Sequence, residues 1–119
     1  MTTATLAVGA YGERRAVAHL VEAGIRIVER NWRCADGEID IVARDGDDIV
    51  FCEVKTRRSQ RFGPPAGAVV PAKARRLRRL AVRWLHEHDV RCRDVRFDVL
   101  SVLPQRRGAA LVEHLRGVL

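Results

Sequence analysis

Two short runs of β-type sequence in the first half of the chain constrain its fold more than any other feature. Residues 38–44 and 49–56, with the sequences EIDIVAR and IVFCEVKT, are apolar except at a few spaced positions. Between them lies Asp45-Gly46-Asp47-Asp48, a segment made of turn-forming residues. The two runs therefore predict an antiparallel β-hairpin.

The register of this hairpin brings charged side chains together. With the loop at residues 45–48, Asp40 lies opposite Glu53, and directly opposed side chains begin only about 4.5–5.5 Å apart at their Cβ atoms. The same register places Glu38 opposite Lys55. A slip of one residue would break this match, and it would also scramble the apolar faces of both strands.

Strand geometry also assigns the faces of the hairpin, because successive side chains of a strand point to opposite sides of a sheet. The first run is predicted to place Glu38, Asp40 and Val42 on one face and Ile39, Ile41 and Ala43 on the other. The second run is predicted to place Ile49, Phe51, Glu53 and Lys55 on one face and Val50, Cys52, Val54 and Thr56 on the other.

The rest of the chain predicts one mixed sheet flanked by helices. Helical spacing of apolar residues predicts helices at residues 9–23, closed by Gly24, and 72–88. β-Type runs predict strands at residues 25–33, 95–103 and 110–115. The order of helix, three strands, helix and one or two strands is an α/β arrangement. A length of 119 residues favours a single domain over residues 1–119.

Glu13 is out of place on the first helix. It lies three residues after Ala10 and four before Val17, so it belongs to the apolar stripe of that helix. A carboxylate facing a core is costly to bury unless a cation or a metal meets it. The alternative is that Glu13 sits at the rim of the stripe and reaches water, and helix geometry alone leaves both interpretations open.

Positive charge is concentrated on the second helix and on the loop before it. The formal net charge is +7, which favours a polyanionic partner. The helix carries six cations before its first acid, Glu87: Lys73, Arg75, Arg76, Arg78, Arg79 and Arg83. A phosphate-contacting surface is the favoured interpretation, and pairing with acids elsewhere in the fold is the alternative. The candidate nucleic-acid contacts are Arg57, Arg58, Arg61, Lys73, Arg76 and Arg79.

Other sequence features favour the cytoplasm. No apolar run approaches the roughly 20 residues that span a bilayer, and the N-terminal segment is a poor signal peptide. The three cysteines, Cys34, Cys52 and Cys92, are odd in number and far apart, so free thiols are expected.

Asp40 and Glu53 together suit a hard divalent cation. Mg²⁺ and Mn²⁺ bind through one or two carboxylates and keep several waters. Such a cation activates water and neutralises charge on a scissile phosphate, and Lys55 on the same face could orient that water. The alternative is a cluster of paired charges at the end of the sheet, without a metal.

The combined motifs resemble the YraN family of small bacterial proteins over nearly the whole chain. The residues that carry the resemblance are Glu38-Ile39-Asp40, Phe51-Cys52-Glu53-Val54-Lys55-Thr56-Arg57, Phe62-Gly63 and Lys73, with Arg30-Asn31-Trp32-Arg33 and Arg96-Phe97-Asp98. That family is similar to the PD-(D/E)xK nucleases and, among them, to archaeal Holliday-junction resolvases.

This resemblance implies both a fold and a site. The fold is a restriction-endonuclease-like αβββαβ core. Asp40 and Glu53 would bind the metal, Lys55 would be catalytic, and Glu13 would complete the site. Glu38 is expected to support the site or to form a salt bridge with Lys55. The resemblance also suggests a homodimer, as in the resolvases.

Three hypotheses about function follow. The first is a Mg²⁺-dependent (or Mn²⁺-dependent) endonuclease acting on DNA, with branched structures as one candidate substrate. The second is a nucleic-acid-binding module that has a nuclease scaffold and no turnover. The third is a protein–protein adaptor. The intact set of Asp40, Glu53 and Lys55 favours the first.

Overall fold

The structure of the chain is a computed structural model that describes residues 3–57 and 71–118, with side chains from residue 7 onward. Its elements are α1 (Thr3–Glu22), β1 (Arg26–Cys34), β2 (Gly37–Asp45), β3 (Asp48–Thr56), α2 (Pro71–His88), β4 (Asp94–Leu103) and β5 (Leu111–Leu115). The strands form one sheet in the order β1-β2-β3-β4-β5, in which β3 and β4 are parallel and all other neighbours antiparallel. This confirms the predicted α/β fold, and the mixed sheet with two helices is consistent with a restriction-endonuclease-like core.

The two helices pack against two separate cores on opposite sides of the sheet. The core under α1 contains Ala16, Leu20, Ile25, Ile41, Ala43, Val50, Cys52, Leu100, Val102 and Ala110. The core under α2 contains Ile39, Val42, Ile49, Phe51, Leu77, Leu80, Ala81 and Trp84. Alternation along β3 therefore has the predicted sense, with Phe51 under α2 and Cys52 under α1. Glu53 and Lys55 lie two and four residues after Phe51, so their side chains point to the same side of the sheet, towards α2.

Most predicted boundaries agree with the structure to within one residue, but α1 begins at Thr3 rather than at Gly9. The prediction began the helix at Gly9, beside Ala10, the first residue of the predicted apolar stripe. A single glycine inside a helix costs only about 1 kcal/mol, which the rest of the helix offsets. The far end agrees with the prediction: Gly24 has a left-handed φ of 82°, as expected for a residue that closes a helix.

One predicted strand face is wrong, because the alternation of β2 breaks at Asp40. Ile39 packs under α2 whereas Ile41 packs under α1, although both were expected on one face. On β1, Asn31 lies between the partners of these two residues and has a left-handed φ of 55°. The break in the alternation of β2 therefore lies beside an irregular position of β1.

The C-terminal half of α2 is anchored to β1 through Glu29. The Trp84 indole N–H donates a hydrogen bond to Glu29 Oε1 over 2.8 Å. His88 Nε2 lies 3.0 Å from the same oxygen, and its ring stacks on Trp84 with 4.1 Å between centroids. This contact fixes one end of α2, so the position of its first turn follows from helix geometry.

Two further sequence features have a direct structural counterpart. Cys34, Cys52 and Cys92 are free thiols, as predicted. Within residues 3–57 and 71–118, none of the helices is long and apolar enough to cross a membrane.

Gly12 allows α1 to approach β3 closely, and this predicts a large difference between two glycines of the same helix. A Cβ at Gly12 would overlap the side chain of Thr56, including its hydroxyl group, whereas a Cβ at Gly9 would have no described atom within 4 Å. We expect Gly12→Ala to lower the free energy of unfolding by about 1–3 kcal/mol. Gly9→Ala should raise it by up to about 1 kcal/mol, since alanine favours helix. Urea unfolding of both variants tests this, and equal effects would contradict the close approach.

Candidate functional site

An open cleft of about 260 Å³ lies between the sheet and the first turns of α2. The polar residues that line it are Glu38, Asp40, Glu53, Lys73 and Arg76. Leu77 and Leu80 form its apolar wall. The cleft is on the α2 face of the sheet, the face that Ile49 and Phe51 share with Glu53 and Lys55 in the predicted alternation.

The predicted hairpin register, which pairs Arg44 with Ile49, is confirmed as far as the pair of Ile41 with Cys52, where the ladder ends. The predicted pairs Asp40–Glu53 and Glu38–Lys55 lie beyond this last pair. Asp40 therefore stands just beyond the ladder. Its side chain continues the connection between the strands, because Asp40 Oδ2 accepts a hydrogen bond of 2.8 Å from the backbone N–H of Val54.

Asp40 lies in a strongly unfavourable environment for a carboxylate. Burial raises its pKa most, and the Val54 N–H opposes that rise. The negative charges of Glu53, Glu38 and Glu13, in that order, raise it further, to about 6 from an ordinary value of 3.8. All three neighbouring acids singled out from the sequence thus act on Asp40. A site of this kind favours a bound proton or cation.

Glu53 is held by two lysines rather than one. Lys55 Nζ lies 3.4 Å from Glu53 Oε1, and Lys73 Nζ lies 3.0 Å from the same oxygen. Nucleic-acid contact was the favoured interpretation for Lys73, with pairing to an acid elsewhere in the fold as the alternative, and Glu53 was not named as that acid. The structure shows that this alternative applies to Lys73.

Glu13 and Glu38 each have an arginine partner on β1. Glu13 Oε1 lies 3.3 Å from Arg30 Nε, and the Glu13 side chain is 16% exposed. A cation therefore meets the partly buried Glu13, which decides between the two interpretations of its place on α1. The expected salt bridge between Glu38 and Lys55 is wrong, because Glu38 pairs with Arg33 at 3.3 Å while Lys55 turns to Glu53.

The donor set of the cleft fits a hard divalent cation. In the contacts described above, Oδ2 of Asp40 accepts from the Val54 N–H, and Oε1 of Glu53 lies near Lys55 and Lys73. Mg²⁺ needs no more than one or two carboxylates from a protein. In the described part of the chain, no three His, Cys, Asp or Glu side chains converge as a metal-holding group. The pair Asp40 and Glu53 is thus the donor set to consider.

Comparison with known proteins places the whole site inside one family. The model of the uncharacterised protein family UPF0102 matches residues 12–102, which include every candidate catalytic residue. A UPF0102 protein of Beutenbergia cavernae is 62% identical over 112 residues, covering 94% of this chain and 95% of its own length. The UPF0102 protein of Streptomyces griseus subsp. griseus is 59% identical over 113 residues, covering 94% and 95%.

The chain belongs to the UPF0102 family. A third relative, from a Nocardioides species, is 54% identical over 112 residues, with 94% of this chain and 90% of the relative covered. The match confirms the resemblance to the YraN family that was drawn from the motifs.

The candidate nucleic-acid contacts of the UPF0102 chain other than Lys73 divide into three groups. Arg76 lines the cleft and Arg79 is exposed on the same helix. Arg57 is half-buried, and its backbone N–H donates to Val102 O over 2.8 Å. Arg58 and Arg61 lie outside the described residues.

The alternative interpretation of the α2 cations was that they pair with acids elsewhere in the fold. It applies to two of them. Lys73 pairs with Glu53, and Arg83 contacts both Asp36 and Glu87. Arg78 lies over the Phe97 ring, 5.9 Å from its centroid. The exposed arginines nearest the cleft are therefore the better candidates for contact with phosphates.

Proposed function

We propose that this UPF0102 chain is a metal-dependent endonuclease that hydrolyses phosphodiester bonds of DNA, with branched structures as candidate substrates. The observation that carries the proposal is Asp40, a carboxylate with a raised pKa that is fixed by the Val54 N–H beside Glu53 in an open cleft. A carboxyl group whose pKa is raised by burial and by neighbouring acids, and which lines a cleft, is typical of a functional site.

Each residue of the cleft has a role in this proposal. Asp40 and Glu53 would hold Mg²⁺ or Mn²⁺, which when bound neutralises charge on the scissile phosphate. Lys55 keeps the Glu53 carboxylate in place and supplies a proton donor on the same face. Glu13 adds negative charge from α1 while Arg30 holds its carboxylate. Arg76 and Arg79 offer guanidinium groups to flanking phosphates.

The proposal also includes a partner, an oligomeric state and a cellular location. The resemblance to the resolvases supports DNA as the partner and a homodimer as the working form. DNA of a bacterial cell lies in the cytoplasm, which is therefore the location that we propose for the chain.

One observation favours a second candidate function, a nucleic-acid-binding module without turnover. Glu53 Oε1 already has two ammonium groups within 3.4 Å, so its charge is compensated without any metal. A cation would have to compete with these lysines, and a chain that never binds a metal would be stable as it stands.

A cleavage assay with matched variants distinguishes the two functions. Supercoiled plasmid and a four-way DNA junction are incubated with Mg²⁺ or Mn²⁺ and with the parent, Glu53→Gln, Lys55→Ala or Asp47→Asn. Asp47 is an exposed acid in the β2–β3 turn and serves as the control. We expect Glu53→Gln and Lys55→Ala to reduce cleavage at least about 100-fold, and Asp47→Asn to cleave like the parent.

Three outcomes are informative. Equal cleavage by all four proteins would point to a contaminating nuclease and would contradict the proposal. Retention of DNA without cleavage, together with no heat of Mn²⁺ binding in calorimetry, would favour the non-catalytic module. Neither cleavage nor DNA retention would leave the adaptor hypothesis.

A further inference from the structure

Lys73 joins the basic helix to the acidic side of the cleft. Its Nζ lies 3.0 Å from Glu53 Oε1, and the two side chains are partly buried, 27% and 19% exposed. Lys73 also lines the cleft, as does Arg76, about one helical turn further along α2. It therefore belongs to both walls of the cleft, because it contacts a candidate metal ligand and shares a helix face with an arginine.

The position of Lys73 within α2 is unfavourable for a cation. It lies in the first turn of the helix, where the aligned peptide dipoles place positive charge, and residues 71–74 contain no acid. Glu53, on another element, supplies the compensating charge. A group that took Glu53 from Lys73 would leave an ammonium group at the positive end of a helix and in the cleft, where an anion is the partner it favours.

Two further acids that act on Asp40 are each paired with an arginine of β1. The pairs are Glu38 with Arg33 and Glu13 with Arg30, each at 3.3 Å. Neither pair involves a lysine. Glu53 is therefore the acid of the cleft at which lysine ammonium groups and a divalent cation would compete for the same carboxylate.

The two lysines at Glu53 differ in how the fold holds them. Lys55 lies on the central strand β3, where it pairs with Ser101 of β4, and its Nζ is 3.4 Å from Glu53 Oε1. Lys73 is nearer to this oxygen and extends from the first turn of α2, far from the Glu29 contact that anchors the other end of the helix. Lys73 is thus the lysine that can turn away without disturbing the sheet.

We propose that Lys73 couples metal binding to substrate binding in the cleft. Lys73 would leave Glu53 when a divalent cation binds there, and its ammonium group would then contact a DNA phosphate beside Arg76. Lys73 thus weakens metal binding when DNA is absent and strengthens DNA binding when a metal is present. Because such coupling is reciprocal, DNA that holds Lys73 strengthens metal binding by the same factor. This inference rests on the proposed function, since it needs a metal at Asp40 and Glu53.

Calorimetric titration with Mn²⁺ in the absence of DNA tests the first half of the proposal without a cleavage assay. Lys73→Met removes the ammonium group and keeps an unbranched side chain. We expect it to bind Mn²⁺ at least about threefold more tightly than the parent, because the competing ion pair is gone. Lys73→Arg keeps the charge and should stay within about twofold of the parent.

Arg75→Met is the matched control for this titration. Arg75 is exposed on the same helix and outside the residues that line the cleft, and the change removes one positive charge just as Lys73→Met does. It should bind Mn²⁺ within about twofold of the parent, because an exposed charge without contact to the ligand acts weakly.

DNA binding with and without a cation tests the second half of the proposal. A fluorescent four-way junction with phosphorothioate linkages keeps its negative charge and resists hydrolysis, so its anisotropy reports binding in EDTA and in saturating Mg²⁺. In EDTA, the parent and Lys73→Met should bind the junction within about twofold of each other, since Glu53 holds Lys73. In Mg²⁺, the parent should bind at least about threefold more tightly than Lys73→Met, because a phosphate contact has been gained.

The outcomes separate this inference from the proposed function. Mn²⁺ binding by the parent with the same affinity as by Lys73→Met would overturn the inference and leave the metal site intact. An equal loss of DNA affinity by Lys73→Met in EDTA and in Mg²⁺ would also overturn it, because Lys73 would then contact phosphate regardless of the metal. No Mn²⁺ binding by the parent or any variant would overturn both. Mn²⁺ binding by Lys73→Met alone would support the inference.

Discussion

In metal-free buffer at mildly alkaline pH, Asp40→Asn should unfold with a free energy about 2–3 kcal/mol higher than the parent. The parent carries an ionised carboxylate that burial and the charges of Glu53, Glu38 and Glu13 disfavour. Asparagine removes that charge, and its side-chain oxygen still accepts from the Val54 N–H. Urea unfolding in EDTA, followed by tryptophan fluorescence, measures the difference.

The pH dependence of this gain has a definite sign. The folded-state pKa of Asp40 is about 6, above the ordinary value of 3.8. Below 3.8 the carboxyl is protonated in both states and costs nothing. As pH rises from 3.8 to about 6, the unfolded chain ionises first, so the parent loses stability relative to Asp40→Asn. Above about 6 the difference is constant.

The same variant should lose DNA cleavage at least about 100-fold while it becomes more stable. This opposition separates a functional carboxylate from a structural one, because loss of a structural carboxylate lowers stability. Asp47→Asn, at the exposed turn, should change neither property. A lower stability of Asp40→Asn at alkaline pH, or a difference that does not vary with pH, would contradict the electrostatic account of the site.

Asp98→Ala should have the opposite effect and lower the free energy of unfolding by about 3–5 kcal/mol. The change leaves the Arg96 guanidinium and the buried His114 without their shared partner. A domain of this size has a total stability of about 5–15 kcal/mol, so the variant should be close to unfolding at room temperature. Asp47→Ala, which removes an exposed acid, should stay within about 0.5 kcal/mol of the parent.

Asp98 should also make the free energy of unfolding fall at acidic pH, which gives the curve of stability against pH an acid limb. Burial alone would raise its pKa, but the hydrogen bonds from His114, Arg96 and the Gly117 N–H together outweigh burial and lower the pKa to about 2. Its stabilisation is therefore complete above 3.8 and is lost as pH falls from there through about 2. Asp98→Asn should flatten this limb, and an unchanged limb would mean that other carboxyl groups dominate acid unfolding.

The hairpin and its register were predictable from the sequence because two independent constraints agree there. The turn residues after Arg44 fix where the strands reverse, and the apolar alternation allows only one pairing of the faces. The same logic found Glu13, since a carboxylate on an apolar stripe needs a partner. Arg30 supplies that partner, and the charge of Glu13 also reaches Asp40.

The remaining features depend on contacts that periodicity does not encode. Ile39 lies on the α2 side, next to a position of β1 where Asn31 has a left-handed φ, and the apolar alternation of β2 gave no sign of this. Lys73 reaches Glu53 only after α2 folds back over the sheet. Asp98 is fully buried on β4, which pairs in parallel with the central strand β3, and strand periodicity does not encode the Arg96, His114 and Gly117 contacts that accompany this burial.

The central position of β3 has a consequence for how the cleft could adapt to different partners. Hydrogen-bonded neighbours on both sides hold Glu53 and Lys55, and Asp40 is tied to the same strand, so the acidic side of the cleft has little freedom to shift. The basic side belongs to α2, which joins that acidic side through side chains such as Lys73. The far end of α2 is held by Glu29, so any adjustment of the cleft would come from the first turn of this helix and its side chains rather than from the sheet. The cleft therefore has one rigid wall and one adjustable wall.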